Sequence, residues 1–131
     1  MPEKLGGFKA KDIMKNKILS AEKEMTVAEA VRKMNDNNVG ALVILSPIKD
    51  PLGIFTERDL LKRVVGQGLD PKTTNLGKVM TEGLVCAQAN DNAMDLLKAM
   101  FDNNFRHLPV LEGRRLIGII SLRDFFSVLL R

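Results

Sequence analysis

Met34-Asn35-Asp36-Asn37-Asn38 recurs 66 residues later as Met100-Phe101-Asp102-Asn103-Asn104. The same displacement carries Ile13-Met14 onto Val79-Met80, Ala21 onto Ala87, Leu42 onto Leu108 and Leu45 onto Leu111. The first copy then holds one extra residue, in a loop at 46–50 against 112–115. Beyond it a displacement of 65 lays Gly53-Ile54-Phe55-Thr56-Glu57-Arg58-Asp59 on Gly118-Ile119-Ile120-Ser121-Leu122-Arg123-Asp124. Matches on both sides of a single indel define an internal duplication, and a duplication decides the architecture. The copies join near 66–75.

Each copy reads the same way. A short strand at 18–21 or 84–87 leads into an amphipathic helix. Thr26 with Glu29, and Asn92 with Asp95, occupy the offsets of a capping box. Val27, Val31 and Met34 in the first helix, and Ala93, Leu96, Leu97, Met100 and Phe101 in the second, fall at helical spacing and predict a buried stripe. The Asp-Asn-Asn clusters end both helices. Two apolar strands follow, at 41–45 and 52–55 and again at 108–111 and 116–120; their continuity predicts burial on both faces. A last helix begins at Thr56 or Ser121, and in the second copy Leu122, Phe125, Phe126, Leu129 and Leu130 give it a wide apolar face. The fold class is α/β (α+β): two βαββα units of about 55 residues, too small to be comfortable alone and therefore paired about a pseudo-two-fold axis with a cleft between them.

Composition excludes several function classes. The 131 residues carry 20 Lys plus Arg against 16 Asp plus Glu, with 45% apolar and 27% charged residues, the balance of an ordinary globular chain. No apolar run approaches the roughly 20 residues of a spanning helix, and the first residues lack a signal-peptide core; a cytoplasmic protein without membrane attachment is expected. One cysteine, Cys86, and one histidine, His107, allow neither a disulfide nor a cysteine or multi-histidine metal site. Cys86 aligns with Ser20 and reads as a small buried residue rather than a reactive thiol. Gly66-Gln67-Gly68 does not extend to a dinucleotide fingerprint, and there is no P-loop. Met34 and Met100 read as core. The densest basic stretch, Lys4, Lys9, Lys11, Lys15 and Lys17, reads as a solvated entry segment, without the concentrated patch or stacking aromatics of a nucleic-acid reader. No nucleophile has a recognisable base, so catalysis is not expected.

The chemistry lies in the repeated Gly-apolar-apolar-Thr/Ser-x-x-Asp segment, a strand entering a helix. The first N–H groups of such a helix are unpaired and attract a phosphate or carboxylate. Thr56 and Ser121 place a hydroxyl there, Arg58 and Arg123 a positive charge, and Asp59 and Asp124 carboxylates able to take the two hydroxyls of a ribose. Gly53 and Gly118 permit close approach of backbone or ligand. The same Ser/Thr-x-x-Asp spacing is also a plain capping box.

These segments, with Arg106-His107-Leu108-Pro109-Val110 and the βαββα repeat, make the chain resemble a tandem pair of CBS domains, a Bateman module, over about residues 10–131. The expected division is an N-terminal segment 1–9, a first repeat 10–68, a linker 69–75 and a second repeat 76–131. The resemblance implies a regulatory, energy-sensing module for adenosine compounds: AMP, ADP, ATP or S-adenosylmethionine. It implies that Asp59 and Asp124 hold ribose hydroxyls, Thr56 and Ser121 line the phosphate end, and Ile54 and Ile119 flank the base. Backbone around Leu19 to Ala21, with Ser20, and around Val85 to Ala87, with Cys86, would read the adenine edge. Arg106 and His107 would serve the Asp59 site, and Gly40 and Ala41 the Asp124 site, which predicts unequal affinities with more phosphate charge preferred at Asp59. It also implies a homodimer through the terminal helices and a regulated partner protein of unknown identity. Two rival readings stand beside it: a constitutive interaction adaptor with empty sites, and a weak nucleic-acid binder with a steep salt dependence.

Overall fold

The computed structural model describes residues 5–130; Arg131 and residues 1–4, including Lys4 of the basic stretch, lie outside the described residues. Each copy builds a three-stranded sheet of one topology. In the first, β1 (Ser20–Ala21) runs parallel to β2 (Ala41–Leu45), which runs antiparallel to β3 (Pro51–Thr56). In the second, β4 (Ala87–Gln88), β5 (His107–Glu112) and β6 (Arg115–Ser121) repeat the order and the directions. Registers correspond as the 66 and 65 displacements require: Ala21 faces Ile44 and Ala87 faces Val110, while Val43 faces Ile54 and Pro109 faces Ile119. The first strands depart from the expected 18–21 and 84–87: β1 keeps Ser20 and Ala21, whereas β4 keeps Ala87 and runs on to Gln88. At the edge of β1 Leu19 still accepts a hydrogen bond from the Val43 N–H, at 2.9 Å.

The main helices are α2 (Val27–Asp36) and α5 (Ala93–Asn103). The Thr26 hydroxyl accepts from the Glu29 N–H at 3.2 Å, but the box stays half closed. The Glu29 carboxylate instead accepts from the Thr26 hydroxyl, while the Thr26 backbone bridges to Asn75. Asn92 takes both the Met94 and Asp95 N–H groups on its side-chain oxygen. The Asn clusters end the helices as expected, with Asn38 and Asn104 in the left-handed region at φ 53° and 58°, which asparagine tolerates better than most residues. Val27, Ala30 and Met34 are buried, as are Ala93 and Met100. Phe101 is a correction to the expected stripe. It lies 82% exposed, because one residue beyond Met100 the helix has turned about 100° away from the core.

The compact units do not coincide with the sequence copies. Ile18 and the described residues before it join Val85 and those after it in one unit; Leu19–Leu84 form the other. Two short helices account for the exchange. α1 (Ala10–Ile13) leads the first copy yet buries Ala10 and Ile13 with Ala93, Met100 and Phe125 of the second. α4 (Leu76–Val79) leads the second copy yet packs with Val27, Met34 and Phe55 of the first. Hydrogen bonds explain the choice. The first N–H of α5, from Ala93, donates to the Phe8 carbonyl at 2.9 Å, and the Ala10 N–H returns a bond to Asp91 at 2.8 Å. In the other unit Val27 donates to Thr74 and Leu76 to Met25, both at 2.8 Å, and Ala28 donates to Pro71 at 2.9 Å. Helix N-termini leave donors that must find partners, and here the other copy's leading segment supplies the carbonyls. Residues 69–75, expected as a linker, therefore hold a capping segment.

The final helices differ between copies. α3 (Glu57–Asp59) passes into a π-helical segment, Leu60–Val65, whereas the second copy continues as α6 (Leu122–Leu129). A π turn absorbs one extra residue. Val64 consequently takes the buried place that Val128 holds in α6, and Arg63, the formal counterpart of Val128, is left half-exposed. Among the described residues no helix is long and apolar enough to cross a membrane.

After α1 and α4 the chain crosses the last strand of its unit. Thr81 and Ile54 exchange both backbone hydrogen bonds, at 2.8 and 3.0 Å, as do Lys15 and Ile119 at 2.9 and 3.0 Å. The crossing explains Gly53 and Gly118. A Cβ at Gly53 would stand 2.7 Å from the Met80 sulfur and 2.8 Å from the Thr81 carbonyl oxygen; at Gly118 it would strike the Met14 sulfur. The close approach is thus to the chain's own leader. Gly53→Ala and Gly118→Ala are each expected to destabilise by about 1–3 kcal/mol in urea unfolding. Gly6→Ala, which meets nothing within 4 Å, should not.

Candidate functional site

β3 and β6 deliver Thr56 and Ser121 to the starts of α3 and α6, where each meets the carboxylate of the aspartate three positions on; at Thr56 the Asp59 N–H also returns a bond to the hydroxyl, at 3.4 Å. Asp59 accepts on Oδ2 from the Thr56 N–H at 3.0 Å and its hydroxyl at 3.2 Å. Asp124 accepts on Oδ2 from the Ser121 N–H at 2.7 Å and its hydroxyl at 3.1 Å. Both carboxylates are 6% exposed. A charge that buried needs partners, and the N-terminal end of a helix favours an anion. The capping reading of the motif is therefore realised in both copies. It consumes one oxygen of each carboxylate.

The second oxygens are treated differently. Asp59 Oδ1 accepts from the Thr81 hydroxyl at 2.8 Å and lies 3.6 Å from Arg63 Nε. The guanidinium is held in place by a further bond from Arg63 to the Met80 carbonyl at 2.9 Å. Asp124 Oδ1 faces the Lys15 ammonium at 3.7 Å, on a side chain 63% exposed. Thr81 and Lys15 are counterparts under the 66-residue displacement. Neither they nor Arg63 stand out as site residues in the sequence. The available signal was position: Lys15 and Thr81 directly follow the matched pairs Ile13-Met14 and Val79-Met80.

The other expected residues divide between the units. Ser20, Ala21, Gly40, Ala41, Ile54, Thr56 and Arg58 belong with Asp59; Cys86, Ala87, Arg106, His107, Ile119, Ser121 and Arg123 belong with Asp124. In the first set Ser20, Val43 and Ile54 share one row across the sheet, and Thr81 extends that row by its bridge to Ile54. Ala41 lies opposite Thr56, and half-buried His107 lies opposite Ser121. The side chains of Arg58, Arg106 and Arg123 are exposed. The expected supply of unpaired helix N–H groups is smaller than the motif suggests. The Glu57 N–H donates to the Gly40 carbonyl and the Leu122 N–H to the Arg106 carbonyl, both at 3.1 Å. Those carbonyls immediately precede β2 and β5, and the bonds give them backbone partners.

Cys86 sits just before β4, half-buried. Desolvation there pushes its thiol above the ordinary cysteine range. Since the thiolate is the reactive species, the raised value lowers its fraction at neutral pH. Alkylation of the native protein by iodoacetamide should be slower at pH 7.5 than for the urea-unfolded chain, and should still be accelerating above pH 9. Equal rates for the two states would contradict the burial.

Comparison with known proteins bears on both units. The CBS domain model matches residues 10–66 and 76–131. The CBS domain-containing protein CBSX3, mitochondrial, of Arabidopsis thaliana is 36% identical over a 124-residue alignment that covers 86% of this chain and 60% of that relative, so the chain spans less than two thirds of its length. A putative signal-transduction protein with CBS domains from Burkholderia ambifaria superposes with a TM-score of 0.88 at 30% identity, covering 93% of both chains. The CBS domain pair of protein MJ0100, solved in complex with 5′-methylthioadenosine and S-adenosyl-L-methionine, matches in fold with a TM-score of 0.84 at 22% identity, over 93% of this chain and 95% of that one.

Proposed function

This chain belongs to the CBS domain family as a tandem pair, and on that premise we propose that it is a regulatory module that senses an adenosine compound and passes its state to a partner protein. The observation that carries the reading is the buried carboxylate at the start of α3 and of α6, present in both copies with the same cap. A ribose diol donates two hydrogen bonds, and an ionised carboxylate accepts without donating. Arg58, Arg106 and Arg123 are exposed cations for a phosphate, and the row through Ile54 supplies apolar contact for a base. The pair in protein MJ0100 holds nucleosides of this class. A ligand regulates only if it binds two states of the module unequally. AMP, ADP, ATP, S-adenosylmethionine and NAD are the panel to try. At 100 times its dissociation constant a cognate ligand adds about 2.7 kcal/mol of stability, visible as a thermal shift. No shift with any of the five overturns the reading.

Self-association is the second part of the proposal. Leu61 and Val65 on the π segment, and Phe126 on α6 with Leu130 just after it, stand at the 65-residue spacing and are each more than half exposed. Two apolar patches repeated on one chain suit an isologous contact with a second copy. Light scattering should give a dimer, and Phe126→Glu should shift it toward monomer without unfolding it. A wild-type monomer at tens of micromolar contradicts the proposal.

A further inference from the structure

The two aspartates are equally buried but unequally engaged. An ionised carboxylate offers about four acceptor positions, two on each oxygen. In both copies the cap uses the two on Oδ2, one for the N–H and one for the hydroxyl. At Asp59 the Thr81 hydroxyl takes a third, and Arg63 faces the same oxygen. That leaves at most one position for an incoming diol, which needs two. At Asp124 both positions on Oδ1 are clear of hydrogen bonds among the described residues, and what faces them is an exposed lysine ammonium at 3.7 Å. A flexible ammonium in water is weakly held, and it can turn from the carboxylate to a phosphate on the same ligand.

We infer that Thr81 and Arg63 form an internal latch that withholds Asp59 from ligand, and that the Asp124 site, with Lys15 beside it, is the one that binds first. The inference rests on the nucleotide reading above, and it derives the unequal affinities of the two sites from the surroundings of the carboxylates rather than from Arg106 and His107. The latch follows from two local departures from the repeat. Thr81 stands where the first copy has Lys15, so a hydroxyl short enough to stay at the carboxylate replaces a long cation. The π turn moves Val64 into the core and frees Arg63 to reach Asp59 and Met80, whereas α6 buries Val128 at the formal counterpart of Arg63 and places no cation there. Opening the Asp59 site means breaking one short hydrogen bond and moving one anchored guanidinium. Opening the Asp124 site means moving a solvated side chain.

Calorimetric titration with AMP reads the difference. The wild type should bind one equivalent per chain. Asp124→Asn, which preserves the shape of the cap, should weaken binding by about tenfold or more, an interaction of ordinary size for a hydrogen-bonded charge, and Asp59→Asn should change it by less than about threefold. The Thr81→Val/Arg63→Met double variant should take up a second equivalent. Two equal sites in the wild type, a greater loss in Asp59→Asn than in Asp124→Asn, or a double variant still at one equivalent would each overturn the inference. Failure of the nucleotide reading looks different: no heat with AMP, ATP or S-adenosylmethionine in the wild type or any variant. The latch is then decided without ligand, by double-mutant cycles in urea. Asp59→Asn with Thr81→Val should couple by about fivefold or more in the unfolding constant, within the range for residues in contact, and Asp124→Asn with Lys15→Met by less than twofold. Equal couplings would end the proposal.

Discussion

The first turns of α2 and α5 present N–H groups that their own copies do not satisfy, and the rest of the arrangement follows from where those groups find carbonyls. Phe8 and Thr74 provide them, each from the leading segment of the opposite copy. An unmade bond at a buried helix end costs roughly 1–3 kcal/mol, more than a made one contributes, so the leader has little freedom to dock elsewhere. Once it is docked, its next residues must pass over the last strand of that unit. Only a glycine at positions 53 and 118 leaves room, and the crossing chain sets Thr81 or Lys15 against the buried aspartate. Helix capping, glycine placement and the surroundings of the carboxylate are thus links in one chain of causes.

Within this shared frame the copies keep one sheet and diverge in their last helix. Strand order, register and even the irregularity between Ile44 and Leu45 recur between Val110 and Leu111. What differs is the ending. A π turn in one helix and an ordinary α-helix in the other are enough to put a guanidinium beside one carboxylate and an apolar Val128 at the matching place. One residue absorbed in a helix alters the charge around a site three or four residues away. Duplication keeps the scaffold, and such small changes give its two sites separate characters.

Much of the fold was legible because its signals are local. The Thr26 and Asn92 caps, the Asn38 and Asn104 terminators and the apolar strands need only neighbours in the chain, and the structure realises each of them; the 66-residue displacement needs only the chain laid on itself. The Thr56–Asp59 and Ser121–Asp124 boxes were legible for the same reason. The exchange of leaders was not, because it depends on which of two nearly identical helix ends a segment meets. Phe101 was misplaced by a stripe drawn one residue too wide. Thr81 carries no local signal, because its partner Asp59 lies 22 positions away and is reached only by way of the crossing. Arg63 needed the π turn to be known, and nothing in Leu60–Val65 marks one.

The exchange of leading helices also orders events in time. During synthesis α1 is among the first described elements to leave the ribosome, yet its partners extend through Phe125 and Val128. Leu19–Leu84 is a continuous stretch and can close as soon as α4 emerges. Domains generally fold as units while the chain grows, so α1 must wait for α6. Throughout that interval Ala10 and Ile13, apolar residues meant for a core, stay without one, and the middle of the chain is already folded when they finally find it.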